Sequence, residues 1–296
     1  MKTIMIFGGL GFVGTKLAKT AYEAGWKVYI ADNRLGAEPY TGIKADIVDI
    51  TSEEMVKKYV FEKNPDVIVN VAAISDIDKC EENQELALRI NTNAAVNIAR
   101  CCKDVGGKYI FFSSDAVFDG KSNLYYEGSL RNPLNFYGKT KMFAEDQILS
   151  SGVKACILRL SLIIGLSSVE GNSFLAALRK KLEKGQNIYV SDEIRTPIFV
   201  DILCNCILEL AENNFAGVIH IGSTDYIDKF TLAKKAAGYM GLDAELVQPV
   251  DLQGMSKRAP RHKNGILSVE KAQSLLKTKL LDTDGELKQI FGGIKD

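Results

Sequence analysis

The chain has 296 residues, 46% of them hydrophobic and 25% charged, with 37 Lys plus Arg balancing 37 Asp plus Glu. That length can bury a large core in one big domain or two closely joined ones, and the zero net charge argues against broad electrostatic capture of nucleic acid or of an anionic membrane, though not against a small basic pocket for a phosphorylated ligand. The six cysteines (Cys80, Cys101, Cys102, Cys156, Cys204, Cys206) make no C-x-x-C pair, and His220 and His262 are the only histidines, so no metal site is expected. Cysteines in apolar runs read as core residues of a reducing compartment. The opening Met1–Phe7 run is too short for a signal peptide, and no stretch approaches the ~20 apolar residues of a membrane span. A cytoplasmic protein is expected.

In chain order, short Val/Ile-rich runs alternate with helical patterns. The runs at Thr3–Phe7, Lys27–Ala31, Gly42–Ala45, Asp66–Val71, Lys108–Phe112 and Lys154–Leu160 read as strands. Between them, Phe12–Ala24, Ser52–Glu62, Gln84–Asp104 and Asn135–Ser150 read as helices. Such alternation predicts an α/β fold, a doubly wound parallel sheet covered on both faces. After about Leu160 the rhythm breaks: Gly165–Gly171 reads as a loop, Asn172–Lys184 as a helix, and Gln186–Pro197 as a short strand plus turn. Val200–Asn213 is again helical and Gly217–Ile221 a strand. The expectation is a cofactor domain over residues 1–160, to which 198–221 returns, and a smaller C-terminal α+β substrate lobe over 161–296.

Gly8-Gly9-Leu10-Gly11-Phe12-Val13-Gly14 follows the first strand and opens the first helix. Glycines allow a tight turn and close approach to a pyrophosphate, and the helix N-terminus offers free N–H groups and a positive dipole end. At the end of the second strand stand Asp32, Asn33 and Arg34. Asp32 suits the ribose 2′-hydroxyl of NAD, whereas Arg34 suits the 2′-phosphate of NADP; both readings stay open.

Tyr137-Gly-Lys-Thr-Lys141 places a phenol and an ammonium at i, i+4 on one helical face. An adjacent ammonium favours phenolate, so the tyrosine pKa is expected to fall toward the range of a general acid/base. Ser114 and Asp115 end a central strand at its carboxyl edge, where open α/β sheets bind ligands. There Ser114 can donate to a substrate oxygen.

These residues in this order resemble the extended short-chain dehydrogenase/reductase family, and within it the dTDP-4-dehydrorhamnose reductase group. Asn70-Val-Ala-Ala73 and Asp78-Lys-Cys-Glu81 resemble that group's N-A-A-A and V-D-K-A-E, and Ser113–Gly120 resembles its S-T-D-Y-V-F-D-G. Tyr126-Glu127, Asn132-Pro-Leu134 and Tyr137-Gly138 with Lys141 match its Y-x-E, P-L and Y-G-x-x-K, and Thr196-Pro197 with Asp201 its P-T and D. Ala259-x-Arg261 with Asn264 and Leu267 is similar to A-x-R-P-x-N-S-x-L, His262 and Gly265 replacing Pro and Ser. The resemblance covers nearly the whole chain.

It implies a Rossmann fold binding reduced NAD or NADP, a nucleotide-sugar substrate and a homodimer. Gly8, Gly11, Phe12, Val13 and Gly14 would lie along the phosphates, Asp46 and Ile47 beside the adenine, and Val71, Ala72 and Ala73 on the path to the nicotinamide. Asp46 reads equally as a turn or capping residue. Tyr137 would protonate the developing alkoxide while hydride reaches the keto carbon. Lys141 would hold the ribose, Ser114 and Asp115 would face the substrate, and Arg261 would pair with its phosphate or lie on the surface. Ala116 and Leu162 stand where the group has Tyr and Trp, which opens the sugar pocket and puts the rhamnose precursor itself in question. Two relatives of the same family are the rivals. A 4,6-dehydratase needs T-D-E, whose glutamate is missing after Asp115, and an epimerase commonly shows V-Y-G where Val117-Phe118-Asp119-Gly120 stands. The non-enzymatic rival is a subunit resembling the regulatory beta subunit of methionine adenosyltransferase.

Overall fold

Seven parallel strands run side by side in the order β11-β6-β5-β4-β1-β2-β3. In this computed structural model, which describes residues 1–34, 43–166, 173–251 and 258–292, they are β1 Thr3–Phe7, β2 Lys27–Asp32, β3 Ala45–Ile47, β4 Val67–Asn70, β5 Lys108–Ser114, β6 Lys154–Leu160 and, much later in the chain, β11 Gly217–His220. The intervening helices are α1 Phe12–Glu23, α2 Glu53–Lys63, α3 Ile77–Glu82, α4 Gln84–Leu88, α5 Ala95–Asp104 and α6 Phe136–Ser150. Side chains alternate across a strand, and the sequence is apolar at both parities. Ile4 and Ile6 of β1 therefore enter one core with Leu17 of α1, while Met5 and Phe7 enter the other with Val60 of α2 and Ile98 of α5. Strand order reverses between β1 and β4, which opens a crevice at their carboxyl ends.

The rest of the chain contributes β7 Leu162–Ile164, α7 Phe174–Leu182, β8 Ile188–Ser191, β9 Ile194–Arg195, β10 Pro197–Phe199, α8 Val200–Glu212, β12 Ile227–Asp228, α9 Lys229–Tyr239, β13 Val247–Val250, β14 Asn264–Gly265, α10 Glu270–Leu275 and α11 Thr283–Phe291. Of these, α8 packs Leu203, Ile207 and Leu210 into the same core as α1. Its last turn is held by Lys108 of β5, whose ammonium donates to the carbonyls of Leu210 and Asn213, a cation completing the negative end of a helix. A separate core of Leu175, Leu178, Leu232, Ala236, Val247 and Leu287 holds the smaller lobe together.

Two expectations shift. The third strand lies at Ala45–Ile47 and not at Gly42–Ala45; Gly42 itself, residues 167–171 of the expected loop and the expected helix start at Asn172 fall outside the described residues. The single helix expected over Gln84–Asp104 is interrupted by a π turn at Arg89–Ala94. Its cause is polar. Asn91 accepts from the Ile74 N–H at 2.8 Å and donates to Thr140 Oγ1 at 3.3 Å, and Thr92 donates to the Thr140 carbonyl at 2.8 Å. The widened turn aims these side chains at α6, a use π turns often serve near sites.

On α11, Glu286 is fully buried and its carboxyl oxygens have no hydrogen-bond partner of ordinary geometry among the described residues. Burial, offset only in part by the Phe199 backbone, pushes its pKa up to about 9. The folded chain thus keeps a proton that the unfolded chain releases above its ordinary carboxyl pKa, so stability falls as pH rises from there toward about 9. Glu286→Gln is expected to stabilise the fold at neutral pH by on the order of 2–3 kcal/mol. Thermal melting at a series of pH values checks it, the advantage vanishing in acid.

Candidate active site

The glycine-rich turn lies beside the segment that follows β4. Gly8 adopts φ +81, and a Cβ there would stand 2.8 Å from the Ala72 nitrogen, so only glycine lets the two turns meet. Gly11 is the N-cap of α1, and no side chain caps the first turn. Phe12, Val13, Val71, Ala72 and Ala73 are all half-buried along this crevice. Uncapped N–H groups between two close backbone turns fit a pyrophosphate.

At the end of β2 the Asp32 carboxylate accepts from the Leu10 N–H at 3.1 Å and from Arg34 Nε and Nη2 at 2.9 and 3.2 Å. Burial opposes its charge, yet these contacts, Arg34 first, hold its carboxyl below the ordinary range. Asp32 and Arg34 therefore satisfy each other, and a ribose hydroxyl has to compete with the guanidinium for that carboxylate. Asn33 is exposed. Asp46 accepts from the Tyr59 hydroxyl at 2.8 Å, and the side chain of Ile47 next to it is 52% exposed.

The helix that follows β5 is α6, capped by Asn135, whose side chain accepts from the Gly138 N–H at 2.9 Å and donates to the Pro260 carbonyl at 2.8 Å. This helix brings half-buried Tyr137 to the carboxyl end of β5, where the phenol meets the Ser114 hydroxyl. Buried Lys141 donates to the Phe112 carbonyl at 2.8 Å, its ammonium 4.8 Å from the Phe111 ring centroid and 5.8 Å from that of Tyr137. Behind it, the fully buried Glu145 takes both Arg159 and Arg131.

The electrostatics correct one expectation. Burial pushes the Tyr137 phenol up and the Asp115 and Cys80 charges add to it, for a net rise that a Ser114 hydroxyl turned toward the phenol as donor would only partly offset. The Lys141 ammonium does not reverse this; it lies 5.8 Å from the Tyr137 ring centroid and donates to the Phe112 carbonyl. Burial pushes Lys141 itself down to about 8, against the pull of Cys80 and Glu145.

Ser114 too differs from the simple expectation. Its hydroxyl donates to Asp115 Oδ1 at 3.0 Å and accepts from the Ala116 N–H at 3.1 Å, so its hydrogen is already committed to a carboxylate. Burial opposes the charge on Asp115, but His262, Arg195 and Ser161 hold its carboxyl below the ordinary range. Arg261 forks onto Asp78 of α3 at 3.0 and 2.9 Å and is not a free surface cation. Ala116 is buried in the turn after β5, and Leu162 lies on β7 against the lobe core. Asn91, Ser161, Arg195 and His262 are the polar residues around the site that the sequence reading did not assign. A lone Asn within a helical pattern gives no signal, although Arg195 directly before the quoted Thr196-Pro197 offered one.

Among the described residues no cluster of His, Cys, Asp and Glu is placed to hold a metal ion, and no helix is long and apolar enough to cross a membrane.

A parallel sheet in this order, with Tyr-x-x-x-Lys on the helix after β5, defines an extended short-chain dehydrogenase/reductase. Residues 1–293 match the family model of the RmlD substrate binding domain, and the chain belongs to that family. It is 28% identical over 275 residues to the probable low-salt glycan biosynthesis reductase Agl14 of Haloferax volcanii, covering 92% of this chain and 91% of that protein. It is 29% identical over 254 residues to methionine adenosyltransferase 2 subunit beta of Xenopus laevis, covering 83% and 74%. Among solved structures, dTDP-4-dehydrorhamnose reductase from Bacillus anthracis in complex with NADP superposes with a TM-score of 0.87 at 27% identity, covering 98% of this chain and 99% of that one.

Proposed function

We propose that this chain is an NAD(P)H-dependent reductase of a nucleotide-linked 4-keto-6-deoxysugar, acting as a dTDP-4-dehydrorhamnose reductase does. The observation that carries the reading is the convergence of Tyr137, Ser114 and Lys141 at the carboxyl end of β5, two strands along the parallel sheet from β1 and the glycine-rich turn that follows it. Gly8, Gly11, Phe12, Val13 and Gly14, Asp32 to Arg34, Asp46 and Ile47, and Val71 to Ala73 are assigned to the dinucleotide. When bound, it supplies the hydride.

Tyr137 then acts as the acid. A phenol whose pKa is raised stays protonated at neutral pH, and it gives its hydrogen to the alkoxide forming on the keto oxygen. Lys141 presents a positive charge beneath that exchange and holds a ribose hydroxyl. Its buried ammonium loses its proton as pH rises through about 8, so turnover is expected to fall above that pH. A pH–rate profile checks this, and Lys141→Arg is expected to remove the alkaline limb along with much of the rate.

Ser114 and Asp115, whose polar groups are taken up by each other and by Ala116, Ser161 and His262, are assigned to the wall of the sugar pocket, which Ala116 and Leu162 widen. Arg261, bonded to Asp78, is assigned to the substrate phosphate only through exchange of that carboxylate for it. The proposed setting is cytoplasmic, in keeping with six buried free thiols, and the assembly a homodimer.

The test is a panel of nucleotide-linked 4-keto sugars with NADPH and with NADH, following loss of the reduced cofactor and identifying the product alcohol. Oxidation of cofactor by a dTDP-4-keto-6-deoxysugar is the expected result. No turnover on any member, together with capture of a methionine adenosyltransferase, would reverse the reading.

A further inference from the structure

The carboxylate beside Ser114 is gripped by a part of the chain nearly 150 residues away. Asp115 Oδ1 takes the Ser114 hydroxyl, and Oδ2 takes Ser161 Oγ at 2.8 Å, His262 Nε2 at 3.3 Å and Arg195 Nε at 3.5 Å. An ionised carboxylate only accepts. Each of these partners must therefore donate, which fixes the His262 tautomer with hydrogen on Nε2.

The same logic fixes Ser114. With its hydrogen given to Asp115 and one lone pair given to the Ala116 N–H, what remains is a lone pair, and Tyr137 is the neighbour that meets it. Ser114 is thus held as an acceptor, and the phenol carries the only mobile hydrogen of the pair.

The His262 contact is built in detail. A Cβ on Gly265 would stand 2.4 Å from Asp115 Oδ2 and 2.8 Å from His262 Nε2, so the imidazole reaches the carboxylate only because residue 265 has no side chain. Both positions are those where the chain departs from the Pro and Ser of the pattern quoted above. On either side the segment is anchored: Pro260 to the Asn135 cap of α6, Arg261 to Asp78, and the Lys263 carbonyl to the Ile194 N–H. Arg195 is itself fixed by Glu193 at 2.6 Å and reaches the His262 carbonyl at 3.3 Å. Among the described residues, the charged and titratable groups around this assembly include Arg195 and Glu193 around β9, Lys229 on Glu193, and Tyr137 of α6, which senses the Asp115 charge.

We propose that His262 is a positioning residue for proton transfer: with Arg195 it pins Asp115 so that Ser114 serves Tyr137 as an acceptor and the phenol alone delivers the hydrogen. The role rests on the reductase reading above.

Two measurements separate the clamp from that reading. Without substrate, the imidazole resonances of the two histidines are followed by NMR in the wild type and in Asp115→Asn, a variant of the same shape. A hydrogen-bonded Nε2–H signal of His262 that moves in the variant is expected; an unmoved signal overturns the clamp whatever the enzyme reduces. With the keto sugar and NADPH, His262→Leu is expected to lower kcat by about ten- to a hundredfold. KM is expected to hold, and the solvent deuterium effect to rise as proton transfer becomes limiting. His262→Gln, which keeps an N–H at similar reach, is expected to recover most of the rate. Wild-type kcat and isotope effect in His262→Leu overturn the positioning role, as does a Gln variant no better than Leu. Should His262→Leu fail to fold, His262→Met, which likewise lacks the N–H, must show the same loss of kcat at constant KM. A wild-type protein that turns over no keto sugar removes the reductase reading, and with it the role in proton transfer, while the NMR arm still decides whether the clamp exists.

Discussion

Tyr137→Phe is expected to lower turnover by about a hundred- to ten-thousandfold, the range over which a positioned general acid contributes. Phenylalanine keeps the ring and removes only the hydroxyl that meets Ser114. The ring lies beside the Lys141 ammonium in a half-buried position on the first turn of α6, so its packing survives the change. Cofactor binding, followed by fluorescence of the reduced dinucleotide, and thermal melting are expected to match the wild type. A Phe variant that turns over at the native rate would show that the phenol is not the acid. The Ser114→Ala variant separates the partner from the acid: its loss is expected to be smaller, because Ser114 orders the phenol without supplying the hydrogen.

Glu145 is expected to show the largest effect on stability. It lies fully buried on α6, one turn past Lys141, with Arg159 Nε and Nη2 at 2.9 and 2.7 Å, Arg131 at 3.0 Å and the Ser113 hydroxyl on the same carboxylate. Removing it strands the Arg159 guanidinium, whose side chain is 3% exposed. Breaking a buried pair in this way costs about 3–5 kcal/mol, because an uncompensated charge is left behind. Glu145→Ala is therefore expected to lower the denaturant midpoint sharply. Arg131→Ala, at the half-exposed end of the cluster, is expected to cost only about 0–1 kcal/mol. Equal losses in the two variants would show that the carboxylate is not the centre of the network.

The sheet and the position of the site were legible because they rest on local signals. Apolar runs at both parities announced buried parallel strands, glycines marked the first turn, and Tyr137 and Lys141 stood one helical turn apart. What sequence did not convey depends on contacts between distant segments. The π turn at Asn91 follows from side chains reaching Ile74 and Thr140, and no helical periodicity encodes that. The rise in the Tyr137 pKa follows from burial and from the Asp115 and Cys80 charges, a matter of tertiary packing that i, i+4 spacing does not encode. His262 was visible only as a departure from a pattern, since its partner Asp115 lies just past the end of β5 and the glycine that admits it lies on β14. Arg34 and Asp32 were read as alternatives, but they are bonded to each other.

The late strand β11 lies against β6, and α8 beside α1, with Lys108 of β5 clasping the end of α8. The half of the protein assigned to the dinucleotide is thus sewn from two stretches of chain with lobe residues threaded between them. Severing the polypeptide after β6 would leave that half with a raw strand edge and a stripped helix. Such a protein does not recombine by exchanging one lobe for another as a cassette. Single-residue change within the one continuous chain, and not a swap of whole lobes, is therefore the route by which such a fold is expected to vary.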